Sequence, residues 1–282
     1  MKKIPFARLS PLMPELPEVE TVARSLIDLV LGQKLIAARI LDRERLSISQ
    51  KRLLGRRISD VFRLGKSLLF ELNRADGAPL WLGVHLRMTG RILWCPKNDA
   101  VDLSHVRAVF QLEKGQLAFQ DIRRFGTLRI YDDLASAKPS GLDPTSSAFS
   151  AGALIFLLTK GSKTQEIKPW LIRQDRLSGL GNIYASEILH WAEVAPSREI
   201  GSLKSEEIRR LYQAICDVLS AAISACGTTF SDFQNALGTV GSYQRYLRVY
   251  KREGEPCPKC GAAIVRIVQK QRSTFFCQRC QR

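Results

Sequence analysis

Between Arg57 and Tyr131 the chain runs Arg57-Ile58-Ser59-Asp60-Val61-Phe62-Arg63-Leu64, then Ser67–Leu72, Leu80–His85, Arg91–Trp94, Val106–Leu112, Gln116–Gln120 and Thr127–Tyr131. These are short segments in which apolar and polar residues alternate, as strands with one buried face require. Asp76-Gly77 and Lys114-Gly115 punctuate them, which is turn chemistry suited to joining antiparallel neighbours. The texture begins near Lys34 and predicts an antiparallel β-sandwich or barrel.

Toward the N-terminus, Val19, Val22, Ala23, Leu26, Leu29 and Val30 share one face of a helix predicted over 19–31. Glu18 and Glu20 suit the positive end of its dipole. Toward the C-terminus, Tyr131–Phe149 holds Pro139, Gly141, Pro144 and several serines, a linker composition. Helical patterns follow over 150–160, 165–175, 182–191 and 205–226, with a further short one over 229–236. The chain is therefore expected to be α+β: a helix and β-sandwich over 13–135, a linker over 136–148, a helical domain over 149–240 and a small terminal module over 241–282.

Lys and Arg number 43 against 27 acids, a net charge of +16. The last 42 residues hold ten Lys/Arg and two acids, so half of that surplus lies at one end. Such asymmetry points to a polyanionic partner, nucleic acid before an anionic membrane. A membrane-spanning helix is excluded by length: the longest apolar run, near Ala153–Leu158, is far below the ~20 residues a span needs. The first twelve residues, MKKIPFARLSPL, are broken by Pro5 and Pro11 and do not read as a signal peptide. Seven cysteines without such a signal fit a reducing cytoplasm, where Cys95, Cys216 and Cys226 are expected as buried thiols.

The other four cysteines form the most specific motif. Cys257-Pro258-Lys259-Cys260 and Cys277-Gln278-Arg279-Cys280 are two C-x-x-C pairs separated by sixteen residues. That spacing places four thiolates around one tetrahedral Zn²⁺ on a β-hairpin, with strands expected over Ala262–Lys270 and Ser273–Cys277. Four protein ligands leave no open position, so the ion is structural, and metal affinity supplies the folding energy of so small a module. Arg272 and Ser273 then lie at or near the hairpin tip, where a basic side chain can enter a DNA groove.

Met13-Pro14-Glu15-Leu16-Pro17-Glu18-Val19-Glu20 is the second cluster. If translation begins at Met13 and that residue is removed, Pro14 becomes a nucleophilic secondary amine with Glu15 and Glu18 close by. Residues 1–12 are accordingly expected to be absent from the mature protein. The turn Gly179-Leu180-Gly181-Asn182 opens a helix and can present backbone N–H groups to a phosphate, though such turns are often only tight connections. Met88, before Gly90, and Arg123 and Phe125, before Gly126, sit on predicted loops where they could wedge into a base stack. On residue type alone, Met88 and Phe125 fit a core better than a wedge, and Lys66 is one more surface lysine.

In combination, MPELPEVET, HLRMTG, DIRRFG, IKPWL, GLGNIYASE, the GTT loop and QRSTFFCQRC resemble the formamidopyrimidine-DNA glycosylase family in order, from Met13 to Arg282. The resemblance implies a β-sandwich followed by a helix–two-turn–helix domain and a zinc finger. It implies a bifunctional DNA glycosylase and abasic-site lyase for base-excision repair, acting on oxidised purines in double-stranded DNA. The protein would be a monomer in the bacterial cytoplasm, held to the nucleoid by its DNA, with no membrane partner. By the same likeness Pro14 attacks the sugar, Glu15 is general acid/base, Glu18 supports the nucleophile, Lys66 serves β-elimination and Arg272 serves δ-elimination. Met88, Arg123 and Phe125 would fill the void left by an extruded base. His85, Asn182 and Tyr184 would hold phosphates, Lys168 would lie near the site, and Thr228–Tyr243 would cover the base. His105 remains where relatives often carry two histidines, and Lys163 stands beside Thr164 at a position often basic. Two alternatives are a non-catalytic damaged-DNA binder, should the extension be retained, and the endonuclease VIII-like branch that acts on oxidised pyrimidines.

Overall fold

The computed structural model describes residues 13–75, 77–97, 99, 102–229 and 234–282; the N-terminal extension lies outside it. In chain order the elements are α1 (Leu16–Val30), β1 (Leu35–Ile40), α2 (Gln50–Leu53), β2 (Arg57–Leu64), β3 (Ser67–Arg74), β4 (Gly77–His85), β5 (Gly90–Pro96), β6 (Val106–Leu112), β7 (Gly115–Asp121) and β8 (Thr127–Tyr131). There follow α3 (Leu134–Ala137), α4 (Ala151–Thr159), α5 (Ile167–Leu171), α6 (Asn182–Ala192), α7 (Ser205–Ser224), β9 (Val265–Gln269) and β10 (Arg272–Phe276).

Two four-stranded antiparallel sheets, ordered β1-β6-β7-β5 and β2-β3-β4-β8, face each other. Alternation supplies the shared core: Ile58, Phe70, Leu82 and Leu128 from one sheet meet Leu35, Ile92, Phe110 and Phe119 from the other. The sandwich alternative is the one adopted. The apolar face of α1 (Val19, Val22, Leu26, Val30) joins this core. Leu16 does not: it belongs to the second core, formed by α4–α7. The first turn of α1 therefore bridges the two cores, and that places Pro14 and Glu15 between them.

The second core extends without a break into the terminal hairpin through Val249, Tyr250, Ile264, Phe275 and Cys277. The first hairpin strand is shorter than expected and the second begins and ends one residue earlier; Lys270 (φ 45°) and Gln271 (φ 63°) form a two-residue turn between them with both φ values positive. Arg272 is the first residue after that turn and pairs with Gln269.

Three expectations need correction. The predicted helix over 165–175 contracts to Ile167–Leu171, because Gln174 Nε2 binds the Ile172 and Leu180 carbonyls and draws the chain into a loop. Of the segment 229–236, residues 230–233 lie outside the described part, and Thr229 and 234–236 are not helical. The segment 136–148 keeps the place of a connection between the two cores while packing on both: Leu142 bridges Leu177 and Asp143 binds Arg63. Cys95 and Cys216 are only half-buried and Cys226, just beyond the end of α7, is exposed.

Candidate active site

The N-terminal cluster is seated by hydrogen bonds that local sequence does not announce. Leu16 N donates to Gly179 O at 2.9 Å, tying α1 to the turn before α6. Glu15 N donates to Glu18 Oε2 at 2.8 Å, one arm of a capping box. The Glu15 side chain turns away to α6, where its carboxylate accepts from Ile183 N (3.1 Å) and Tyr184 N (3.4 Å). A carboxylate thus occupies the positive end of an eleven-residue helix. Gly181 makes room for it: a Cβ there would lie 2.2 Å from Glu15 Cδ. Glu18 Oε1 in turn accepts from Thr228 N at 2.7 Å and from the Tyr184 phenol.

This arrangement corrects two sequence expectations. The amides opening α6 are taken by Glu15, so the Gly179–Asn182 turn does not present them to an external phosphate. Tyr184 is wholly buried with its hydroxyl on Glu18 and 3.0 Å from Thr228 Oγ1, so its side chain is not presented at the surface. Its role is to hold Glu18. Asn182 is also engaged internally: Nδ2 donates to Ser273 O (2.9 Å) and Oδ1 accepts from Lys168 Nζ (2.7 Å).

Around this seat the charges perturb one another. Burial raises the Glu15 carboxyl above its usual range, with nearby Lys66 opposing. Burial and the neighbouring Glu15 push Glu18 up to about 7. Lys66, buried in the β2–β3 turn after Gly65 (φ 59°), is pushed down by desolvation while Glu15 resists and Arg272 assists. His85, opposite Ser67 in the β3–β4 ladder, falls to about 4 through burial and the positive Arg87 and Lys66. Its Nδ1 accepts from Arg87 N at 3.1 Å, so the neutral ring carries its proton on Nε2. Lys168 is buried and pushed to about 7 by desolvation. Against that, its Nζ has three partners that suit an ammonium: Asn182 Oδ1, Ser273 O (3.2 Å) and Thr274 Oγ1 (2.6 Å). Lys168 and Asn182 therefore fasten the Arg272 hairpin to α6. Pro14, bonded here to Met13, is buried beside Glu15 in sequence.

A second group of expected residues lies on loops at the ends of strands. Met88, half-buried, is in the β4–β5 turn; Arg123 and Phe125 are exposed between β7 and β8; His105 is exposed before β6. The Arg123 guanidinium lies 4.8 Å from the Phe125 ring centroid, and Phe125 is 51% exposed, so it is no core residue. Lys163 sits apart, exposed after α4, where its carbonyl accepts from Gly201 N at 2.9 Å. The structure does not bring it to the Glu15 group.

The four expected zinc ligands converge. The Sγ atoms of Cys257, Cys260, Cys277 and Cys280 all lie within 4.8 Å of one another, with Cys257–Cys280 at 3.9 Å and Cys260–Cys277 at 3.5 Å. A tetrahedron with Zn–S bonds of ~2.3 Å has edges of ~3.8 Å, so the set fits one structural zinc ion. His190 Nε2, on α6, is 3.4 Å from Cys257 Sγ and links the ligand shell to the helical core.

Sequence reading missed three structural hubs. Arg63, 4% exposed at its side chain, uses all five N–H donors: Nε to Glu20 (3.0 Å), Nη1 to Asp143 (2.7 Å) and Gly65 O (3.2 Å), Nη2 to Asp143 (3.2 Å) and Thr145 (2.8 Å). Glu187, buried in α6, accepts from Arg248 N, Val249 N and Tyr250 N at 2.8–3.0 Å and so fixes the entry to the zinc module. Asp121 gathers three loops. Its place in DIRRFG was visible, but the partners that define it are distant in sequence.

Fold and site together define a two-core, zinc-ribbon protein whose N-terminal carboxylates are built into the junction. Sequence models for the formamidopyrimidine-DNA glycosylase N-terminal domain, its H2TH domain and the zinc finger found in FPG and IleRS match residues 13–128, 140–234 and 254–282. The formamidopyrimidine-DNA glycosylase of Pelotomaculum thermopropionicum is 39% identical over 281 residues, covering 96% of this chain and 99% of that protein. That of Desulforamulus reducens is 40% identical over 282 residues, with the same coverage. A Lactococcus lactis FPG mutant in complex with Fapy-dG-containing DNA superposes with a TM-score of 0.86 at 33% identity, over 95% of this chain and 100% of that one. The MutM (FPG) protein from Thermus thermophilus gives 0.83 at 40%, over 95% and 98%. The chain belongs to the formamidopyrimidine-DNA glycosylase family. No helix among the described residues is long and apolar enough to cross a membrane.

Proposed function

We propose that this chain excises oxidised purines, 8-oxoguanine and formamidopyrimidines, from duplex DNA and then cleaves the abasic site by β,δ-elimination. The observation that supports this reading is the seat of Glu15, the residue after Pro14, on the amides of α6, where Lys66 and Lys168 act on its carboxylate and Arg272 acts on both lysines.

Pro14 must be the first residue of the working protein. Its amine then bonds to C1′ as the C1′–base bond breaks, and ring opening of the sugar leaves a cationic iminium. That cation acidifies the C2′ proton, so its removal expels the 3′ phosphate, and a second elimination expels the 5′ phosphate. Glu15, whose proton affinity is raised by burial, serves as acid and base at the sugar. Glu18 supports the amine, Lys66 donates a proton during β-elimination, and Arg272 assists δ-elimination. Zinc would hold the hairpin that carries Arg272. His85 Nε2–H, Lys163 and His105 supply phosphate contacts, while Met88, Arg123 and Phe125 occupy the void of the flipped nucleotide. Void filling offsets part of a flipping cost of a few kcal/mol.

Two measurements test it. Intact mass of the protein made from its natural gene is expected to give a chain beginning at Pro14; one retaining Met1 contradicts the mechanism. Cleavage of 8-oxoguanine-containing duplex is expected to leave a one-nucleotide gap with phosphate at both ends, and intact strands would overturn the reading.

A further inference from the structure

The carboxylate of Asp121, 1% exposed at the end of β7, accepts hydrogen bonds from two different loops. Oδ1 accepts from the Thr89 hydroxyl, beside Met88, and from Arg123 N at 3.1 Å. Oδ2 accepts from Gly126 N at 2.6 Å. Thr89 Oγ1 itself accepts from Arg123 N at 3.2 Å, so the two loops are cross-linked both directly and through the carboxylate. The backbone of the same residue reaches a third loop and the strand after it: Asp121 N donates to His105 O at 2.9 Å, and Asp121 O accepts from Arg107 Nε, in β6, at 2.8 Å.

Each of these loops carries a non-glycine residue in the left-handed region: Arg87 (φ 54°), His105 (φ 58°) and Arg124 (φ 58°). That conformation is unfavourable for side chains with a Cβ and persists only where the surroundings over-determine it. Asp121 and Thr89 supply that constraint from inside. From outside, Arg124 is clamped by Asp42 at 2.7 and 2.6 Å and by Glu44 at 2.8 Å. Gly126 is equally constrained, since a Cβ there would lie 2.4 Å from Phe119 Cζ and block the approach of its amide to Asp121.

We propose that Asp121 and Thr89 are positioning residues that lock the Met88 turn and the Arg123–Phe125 loop into one unit, so that the three side chains enter a duplex together. This rests on the void-filling role given to those side chains above. Neither Asp121 nor Thr89 needs to touch DNA: both are buried, and they act through the residues they orient.

The test uses protein beginning at Pro14 and a duplex with an uncleavable abasic analogue opposite 2-aminopurine, whose fluorescence reports unstacking of the orphaned base. Thr89→Val removes the hydroxyl at nearly constant volume, Thr89→Ser retains it, and Asp121→Asn turns one acceptor into a donor facing Gly126 N. At saturating protein, Thr89→Val and Asp121→Asn are expected to lose at least about half of the fluorescence change and to bind about tenfold more weakly, as loss of one charge-assisted hydrogen bond implies. Thr89→Ser is expected to restore both. A purely structural role would lower the melting temperature without moving the saturated signal, so a wild-type signal in Thr89→Val and Asp121→Asn overturns the proposal. Cleavage of an abasic site in single-stranded DNA, which has no partner strand to invade, separates the two claims. Its absence in the wild type would sink the Pro14 lyase mechanism of the proposed function, whereas normal cleavage with an unchanged signal in the variants would sink this inference alone.

Discussion

Replacing Gly181 by alanine adds one carbon where Glu15 meets the start of α6. The backbone there (φ −142°, ψ −160°) is open to any residue, so no conformational penalty attaches to the change. On chain entropy alone the substitution would stabilise by ~0.4–1 kcal/mol. Space reverses the sign. The new Cβ would lie 2.2 Å from Glu15 Cδ, 2.3 Å from Oε1 and 2.7 Å from Oε2, whereas carbon contacts settle near ~3.5–4.0 Å. The carboxylate must withdraw by more than about 1 Å, which breaks its bonds to Ile183 N and Tyr184 N. Hydrogen bonds to charged groups contribute ~1.5–3 kcal/mol each, and the longer of these two contributes least. A net loss of ~2–4 kcal/mol and a melting temperature lower by roughly 5–10 °C are expected. Displacing a reacting group by about 1 Å also costs on the order of a hundredfold in rate, so strand cleavage at an abasic site should fall accordingly. Gly152→Ala, on an open face of α4 with only Ser150 Oγ near (3.9 Å), is the control and should stabilise by ~0.5–1 kcal/mol. Thermal melts and single-turnover cleavage of both variants decide the matter. A Gly181→Ala protein as stable and as fast as the wild type would refute the assignment of that space to Glu15.

Arg63→Met removes five hydrogen bonds and leaves Asp143 with Thr145 as its remaining partner; burial raises the Asp143 carboxyl, but Arg63 and Thr145 together hold it below its usual range. A loss of ~3–5 kcal/mol at neutral pH is expected from denaturant unfolding, shrinking in acid as the Asp143 carboxyl, without its cation, takes a proton. His85 should remain neutral down to about pH 4, visible as an imidazole shift in NMR that titrates well below the ordinary histidine range. Because its folded value lies below the unfolded 6.5, its contribution to stability is full above pH 6.5 and is lost as pH falls through about 4, in total ~3 kcal/mol. Stripping zinc with a chelator, or Cys257→Ser, should unfold the hairpin and abolish duplex binding in a gel-shift assay; binding that survives would contradict the role given to Arg272.

How much was legible in the sequence follows from which signals are local. Arg57–Leu64, Val106–Leu112 and Thr127–Tyr131 emerge with the boundaries their alternation predicts. β1 was not singled out within the strand region, because Leu-Ile-Ala-Ala-Arg-Ile barely alternates and a bulge between Leu35 and Ala37 shifts its register. The C-x-x-C pairs announce their own geometry, as metal spacing does. The turn before α6 announced an anion but not which one, since Glu15 lies 168 residues from Ile183 in sequence. Tyr184 failed for the same reason: its partner Glu18 is 166 residues away, and helix periodicity cannot say that a tyrosine hydroxyl ends on a buried carboxylate. Arg63, Asp121 and Glu187 sit in strand or helix patterns that read as ordinary polar positions. Only tertiary contacts reveal them as hubs.

In the proposed mechanism an amine at Pro14 forms the covalent bond to the sugar. Protein beginning at Pro14, mixed with abasic-site duplex and borohydride, is expected to yield a stable protein–DNA adduct whose peptide map places the link at Pro14, with Pro14→Gly giving far less. No adduct, or one mapped to Lys66 or Lys168, would contradict it.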